Sequence, residues 1–228
     1  AGHRNVLFLK RGAPLRGIDR ELAADNQPPA MWQWWEQNVL TQPGQKAVIV
    51  PHTFAAGPLA DWNWPNARFD CRLEIYQGAR GSYEACRLPD REKRGPTQVD
   101  EAGHYAQDAL AKGNTYGFVS FSDHGSTHNS WAGVWALSAD RNGILDGMYE
   151  RRTFGASDEI ILRVTADGHM VGEEWKAAAG RAPTIQATID APDTILRVDI
   201  VKHGKVVYTS HPGALRATVS WRDSDTML

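Results

Sequence analysis

The 228-residue chain is 42% hydrophobic and 23% charged, which is the composition of a globular protein with one large domain, or one domain plus a small one. Its formal net charge of -2 and its single short basic cluster at 91–94 exclude the concentrated basic stripe of a nucleic-acid-binding protein. No apolar run reaches the roughly 20 residues that span a bilayer, so neither nucleic acid nor a membrane is an expected partner.

The first two-thirds of the chain alternates strand-like and helix-like segments. Short apolar runs predict strands at 6–10, 47–50, 73–76 and 116–121. Apolar residues at helical spacing predict helices at 31–40, 102–112 and 144–152. Strands separated by helices of this length typically pair in parallel through crossover helices, so we expect an α/β sheet or barrel here.

The last third of the chain has a different pattern. Apolar and polar residues alternate there in five runs, at 160–165, 185–189, 195–201, 206–210 and 215–221. Because no helical stretch long enough for a crossover separates these runs, we expect an antiparallel sheet, with a hairpin turn at His203-Gly204-Lys205. The sequence therefore predicts two parts, residues 1–158 and residues 159–228.

Histidine and aspartate residues follow two of the predicted strands. His52 comes just after the strand at 47–50, and Asp123 and His124 come just after the strand at 116–121. The carboxyl ends of parallel strands meet at one edge of a sheet or barrel, and this edge is where such folds place their chemistry. A lone histidine is usually a surface or core residue, but this cluster of imidazole and carboxylate groups predicts a zinc, manganese or iron site.

Two further carboxylates and an arginine are candidates for the same site. Glu74 lies inside a strand-like segment, where alternation alone favours a solvent-facing side chain, since burying an unpaired carboxylate is costly. The loop at 78–84 carries Arg80 and Glu84. Arg80 has the fork geometry that binds phosphate or carboxylate, although most loop arginines are simply solvated.

The chain has no nucleophile motif, no phosphate-binding loop and no dinucleotide fingerprint. A set of histidine and carboxylate residues without a nucleophile fits hydrolysis by water that a divalent metal ion activates. Cys71 and Cys86 are too few for a disulfide scaffold or a thiolate zinc site, and the sequence leaves open whether they pair or stay free.

Six sequence blocks resemble, in the same order, those of the domain of unknown function 3604 family. They are Gly2-His3-Arg4-Asn5-Val6, Pro51-His52-Thr53, Glu74-Ile75-Tyr76-Gln77-Gly78, Ser122-Asp123-His124-Gly125-Ser126-Thr127-His128, residues 151–158 and residues 170–173. That family is similar to the polymerase-and-histidinol-phosphatase (PHP) hydrolases. The resemblance implies a distorted β/α barrel with up to three metal ions at its strand ends, here partial and followed by the antiparallel sheet.

The resemblance also implies roles for individual residues. It makes His3, His52, Glu74, Asp123 and His124 metal ligands, although His128 fits the last imidazole position as well as His124 does. Arg80, Glu84 and His128 become the candidate catalytic residues. The implied activity is hydrolysis of a small phosphoester with Zn, Mn or Fe, and a periplasmic or extracellular location is slightly favoured.

The PHP pattern also includes an early His-x-His pair, an aspartate and a glutamate that have no counterpart in this chain. We therefore expect the chain to be the carboxyl-terminal part of the domain, weak in catalysis alone, with the amino-terminal segment or another copy covering the open barrel. The alternative is a non-catalytic carbohydrate- or envelope-binding module, since nine tryptophans offer flat faces for sugar rings.

Overall fold

The computed structural model describes residues 3–16, 27–55, 59–64, 66, 68–69, 72–78, 80–84, 102–123, 128–177 and 181–223. The chain mixes helix and strand, and most of its strands pair antiparallel. The helices of the described residues are α1 (Pro28–Asn38), α2 (Ala106–Ala111) and α3 (Arg141–Tyr149). No helix in these ranges is long and apolar enough to cross a membrane.

The first part of the chain contains seven of the described strands. They are β1 (His3–Phe8), β2 (Ala47–His52), β3 (Arg72–Gln77), β4 (Gly81–Ser82), β5 (Gly117–Phe121), β6 (Trp131–Val134) and β7 (Thr153–Ala156). β3 pairs in parallel with β5 and antiparallel with β4, while β2 lies beside β3 and β7 lies beside β5. β1 pairs with β2, and β6 pairs with β7, both antiparallel.

The expected parallel pairing is confirmed for β3 with β5 and is wrong for β1 with β2. β6 and β7, which the sequence did not predict as strands, also pair antiparallel. Each of these pairs has a helix between its strands, so the presence of a helix does not decide the strand direction. The loops at the two ends of the helix decide it, because they set which way the chain re-enters the sheet. The nine residues of α3 cover only about 13 Å, which leaves the direction of β7 to those loops.

β2 is the centre of the first part. Its residues Ala47, Val48, Ile49 and Val50 are fully buried, which explains why they form an uninterrupted apolar run. Alternation along the strand turns Ala47 and Ile49 towards a cluster with Trp32 and Trp35 of α1. Val48 and Val50 face the opposite way, towards a cluster with Leu145 and Met148 of α3.

The predicted helices all occur, with shifted ends. α1 begins at Pro28, whose fixed φ suits the first turn. It buries Trp35, as the helical spacing predicted, and also Trp32, which the spacing did not predict. α3 begins before the predicted residue 144 because the Asp140 carboxylate accepts a hydrogen bond from Gly143 N at 2.8 Å and caps the helix. α2 is shorter than predicted, since residues 102–105 precede its first turn.

The second part is antiparallel, as the sequence predicted. Its strands are β8 (Ile161–Ala166), β9 (His169–Met170), β10 (Thr184–Ile195), β11 (Val198–Lys202), β12 (Lys205–Ser210) and β13 (Ala214–Arg222). The strand order in the main sheet is β13-β10-β8-β9. β11 and β12 form the predicted hairpin, and the turn residues His203 and Gly204 both have positive φ, as a tight hairpin turn requires.

Candidate functional site

A cavity of about 460 Å³ lies at the ends of β2, β3 and β5. The residues that line it are Asn5, Val6, Leu7, His52, Glu74, Gln77, Phe121 and Asp123. His52 is the last residue of β2, Glu74 lies in β3, and Asp123 follows β5 by two positions. Three of the residues that the sequence singled out therefore reach one cavity from three neighbouring strands.

His3 lies next to this cavity, on β1. It is the register partner of His52 across the β1–β2 pair, and the two imidazole rings are 5.5 Å apart between centroids. Because β1 pairs antiparallel with β2, the first residue of β1 meets the last residue of β2. The side chain of His3 is exposed, so it borders the cavity from the solvent side.

Glu74 is fully buried, which makes the solvent-facing interpretation of its strand position wrong. Burial raises the pKa of its carboxyl group to about 8. Hydrogen bonds from the Thr53 backbone and the Gln77 amide act in the opposite direction and lower this pKa. Asp123 raises this pKa further, and Arg80 lowers it. Glu74 forms no ion pair with any described residue, so at neutral pH the carboxyl group holds a proton unless a cation approaches it.

Gln77 and Tyr83 lie behind Glu74 and are linked to it by hydrogen bonds. The Gln77 amide donates to the Glu74 carboxylate, with Nε2 3.5 Å from Oε1 and 3.3 Å from Oε2. The Tyr83 hydroxyl donates to Gln77 Oε1 at 3.2 Å. Gln77 and Tyr83 are each 1% exposed, so this chain of hydrogen bonds is buried.

Sequence reasoning missed the role of Gln77 because a regular strand would turn it away from Glu74. Residues three apart on a strand face opposite sides of the sheet. The β3–β5 pairing contains a register shift between Glu74 and Tyr76, with Ile75 as the extra residue. Such a bulge reverses the facing of the following residues and brings Gln77 to the side of Glu74. No residue pattern in this segment marks the bulge.

Two non-glycine residues at the cavity have left-handed backbone. Thr53, which follows His52, has φ 54°, and Asp123 has φ 64°. Such conformations are uncommon outside glycine and are concentrated at functional sites, where the surrounding structure enforces them. Both occur at the end of a strand whose terminal residues line the cavity, so the strained positions coincide with the predicted site.

Arg80 lies beside Asp123, with 3.6 Å between Nε and Asp123 Oδ2. The Arg80 side chain is 32% exposed and that of Asp123 is 13% exposed, so the pair lies at the boundary between cavity and solvent. An arginine in this position is accessible to an anionic ligand that enters from solution.

Glu84 and His128, the other candidate catalytic residues, do not line this cavity. Glu84 accepts a hydrogen bond from Ser82 Oγ at 3.2 Å and lines a separate groove of about 1020 Å³ between α2 and the second part of the chain. His128 is exposed. His124, Cys71 and Cys86 lie outside the described residues.

Among the described residues, no three His, Cys, Asp or Glu side chains lie close enough together to hold a metal ion.

Comparisons of the chain with family models, with curated proteins and with solved structures found no match. The resemblance to the domain 3604 family and to PHP hydrolases stays a prediction. The interpretation of the site depends on the residues that line the cavity.

Proposed function

We propose that this cavity binds a divalent metal ion and that the protein hydrolyses a small phosphoester with metal-activated water. The observation that carries the proposal is Glu74, which lies within β3, is fully buried and forms no ion pair with any described residue. A buried carboxylate without a cation is costly, and its raised pKa reflects that cost. A bound cation would remove the cost and return the carboxyl group to its charged form.

The chemistry of the neighbouring side chains fits such a cation. His52, Glu74 and Asp123 would hold it, with His3 as a further imidazole at the edge of the cavity. Neutral imidazole and carboxylate together suit zinc, manganese and iron(II). When bound, the ion supplies Lewis acidity and makes water a nucleophile at neutral pH. The proposal includes the finer fold, in which β2, β3 and β5 belong to a partial PHP-type barrel.

The remaining residues of the site would handle the substrate. Arg80, next to Asp123 and partly exposed, is placed to bind a phosphoryl oxygen as it enters the cavity. The buried amide of Gln77 holds the Glu74 carboxylate in place behind the cavity. Val6 and Leu7 line the same cavity and limit the access of water to it.

Metal binding is the first test, measured by titration calorimetry of the metal-free chain with Mn²⁺ and, separately, Zn²⁺. We expect the wild-type chain to bind weakly, because several ligands that the PHP pattern implies have no counterpart in it. We expect Glu74→Gln and Asp123→Asn to raise the Kd at least tenfold further. Glu159→Gln is the matched control, because it makes the same change at an exposed residue outside the cavity. Equal Kd values for wild type and both cavity variants would contradict the proposed site.

Catalysis is the second test, measured as cleavage of p-nitrophenyl phosphate with and without added Mn²⁺ or Zn²⁺. We expect the cleavage to depend on the metal, to disappear in His52→Ala, and to lose substrate affinity in Arg80→Met. Metal binding without metal-dependent cleavage of any phosphoester tested would instead favour the non-catalytic binding module.

A further inference from the structure

Three buried polar side chains form a line that ends at the cavity. Tyr83 is 1% exposed, Gln77 is 1% exposed and Glu74 is fully buried. The hydroxyl of Tyr83 donates to Gln77 Oε1, and Gln77 Nε2 donates to both oxygens of Glu74. Of the three, Glu74 and Gln77 line the cavity, whereas Tyr83 lies behind them.

The Glu74 carboxylate fixes which end of the Gln77 amide faces it, and the hydroxyl of Tyr83 holds the other end. A glutamine amide can turn by 180°, which exchanges its oxygen with its NH₂ group. If Gln77 turned, its oxygen would face the carboxylate oxygens of Glu74, and both groups are acceptors when Glu74 is charged. With its NH₂ group towards Glu74, Gln77 turns Oε1 towards the Tyr83 hydroxyl, which donates to it at 3.2 Å and so anchors that end of the amide.

Tyr83 is held in place independently of the cavity. Its backbone N–H donates to Ile75 O at 2.9 Å, and its carbonyl accepts from Ala106 N at 3.1 Å, at the start of α2. Its ring packs against Phe54 at 4.9 Å between centroids. The phenol oxygen is therefore a fixed point for Gln77, because the backbone and ring of Tyr83 are held by contacts that do not involve Glu74.

We propose that Tyr83 is a positioning residue that acts through Gln77 to aim the Glu74 carboxylate at a divalent cation in the cavity. This inference rests on the proposed function. Tyr83 does not line the cavity, and the hydrogen-bonded path from its hydroxyl to Glu74 runs through the Gln77 amide. Hydrogen-bond partners behind metal ligands typically change metal affinity by about 10- to 100-fold when they are removed.

A purely structural role for Tyr83 makes a different prediction. The ring belongs to an apolar cluster with Phe54, Leu73 and Trp62, and phenylalanine would fill the same space. If packing were the only role, Tyr83→Phe would leave the Mn²⁺ affinity unchanged. If the hydroxyl positions Gln77, the same variant weakens Mn²⁺ binding while the ring stays packed.

The test is a double-mutant cycle on the whole chain, with Mn²⁺ as the titrant in calorimetry and thermal unfolding as a check on the fold. We expect Tyr83→Phe to raise the Kd about tenfold and Gln77→Met to raise it about 10- to 100-fold. The double variant should bind no more weakly than Gln77→Met alone, since Tyr83 acts only through Gln77. Tyr208→Phe, which removes the same oxygen from β12, is the control and should match wild type.

The outcomes separate the two proposals. No Mn²⁺ binding by wild type would overturn the proposed function and this inference together. Mn²⁺ binding by wild type with an unchanged Kd in Tyr83→Phe, or additive losses in the double variant, would overturn the positioning role alone. If Tyr83→Phe does not fold, Gln77→Met with Tyr83 intact decides, and an unchanged Kd there overturns the inference.

Discussion

The two parts of the chain differ in how deeply they bury charged side chains. The first part buries Arg72 and Glu74 completely, two residues apart on β3. In the second part the most buried charged side chain among the described residues is Asp223, which is 9% exposed and pairs with Lys202. Burying a charged side chain lowers stability unless it has a defined partner, because the charge loses its hydration. This desolvation cost is therefore larger in the first part than in the second.

This difference is the reason why we propose the functional site in the first part. Arg72 finds partners inside the protein, since its Nε donates to Met148 O and its guanidinium lies 4.8 Å above the ring of Tyr149. Glu74, two residues later, accepts hydrogen bonds but no ion pair from the described residues. The fold thus supplies partners for the buried charge of Arg72, whereas the cation partner of Glu74 is the one that we propose.

The largest expected effect is a pH dependence of stability that Glu74 confers on the metal-free protein. The folded state raises the pKa of Glu74 from 4.5 to about 8, so the folded chain holds this proton more tightly than the unfolded chain does. Its contribution to stability is fully present below pH 4.5 and is lost as the pH rises through about 8. Each pKa unit corresponds to about 1.4 kcal/mol, which makes a loss of several kcal/mol the expected scale.

The measurement is urea unfolding with EDTA between pH 5 and pH 9. Wild type should lose stability relative to Glu74→Gln across this range, and the difference between the two isolates Glu74 from other titrating groups. Mn²⁺ added at pH 8 should restore wild type and leave Glu74→Gln unchanged. Parallel pH profiles of the two proteins would show that Glu74 keeps an ordinary pKa and carries no cation site.

The second effect concerns Arg72, the buried charge that has partners. Arg72→Met keeps most of the side-chain volume but removes the hydrogen bond to Met148 O and the cation over Tyr149. We expect the free energy of unfolding to fall by about 3 kcal/mol, since a charged hydrogen bond and a desolvated cation–π contact are lost. Urea unfolding at one pH measures it, and a loss below about 0.5 kcal/mol would show that the fold does not depend on this buried charge.

The third effect tests the least exposed ion pair of the second part. Lys202 Nζ lies 2.6 Å from Asp223 Oδ2, and the two side chains are 17% and 12% exposed. Lys202→Met should cost about 1–2 kcal/mol, because Asp223 is left partly buried without its cation. The variant should bind Mn²⁺ with the wild-type Kd in calorimetry. A changed Kd would show that the second part contributes to Mn²⁺ binding, against our assignment of the site to the first part.

The sequence predicted the elements better than it predicted their pairing. The apolar run at 47–50 identified a strand buried on both faces, and alternation after residue 160 identified the antiparallel sheet, because these patterns follow directly from burial. The direction of β1 relative to β2 was mispredicted, because it depends on loops whose geometry no residue pattern specifies, and β6 and β7 were not predicted as strands. Antiparallel pairing of β1 with β2 is also what places His3 opposite His52.

The candidate site was predictable only where it coincides with strand ends. His52 and Asp123 follow apolar runs, so their convergence on one cavity was expected from the sequence. Gln77 and Tyr83 were not expected, since a bulge at Ile75 and the short β4 strand bring them behind Glu74. Glu74 itself was ambiguous, because strand alternation alone does not tell which face of an isolated strand is buried.

The smallest expected effect concerns the exposed pair Arg216–Asp190 on the sheet of the second part. The two side chains are 87% and 47% exposed, so water and salt screen their attraction, and fixing the long arginine side chain costs rotamer entropy. Arg216→Ala should change the free energy of unfolding by less than about 0.5 kcal/mol. A double-mutant cycle with Asp190→Asn at low and high salt measures the coupling, which should be small at low salt and vanish at high salt. A salt-independent coupling above about 1 kcal/mol would show that this surface holds its charges in a fixed geometry. The two parts would then differ only in how strongly their charged side chains interact.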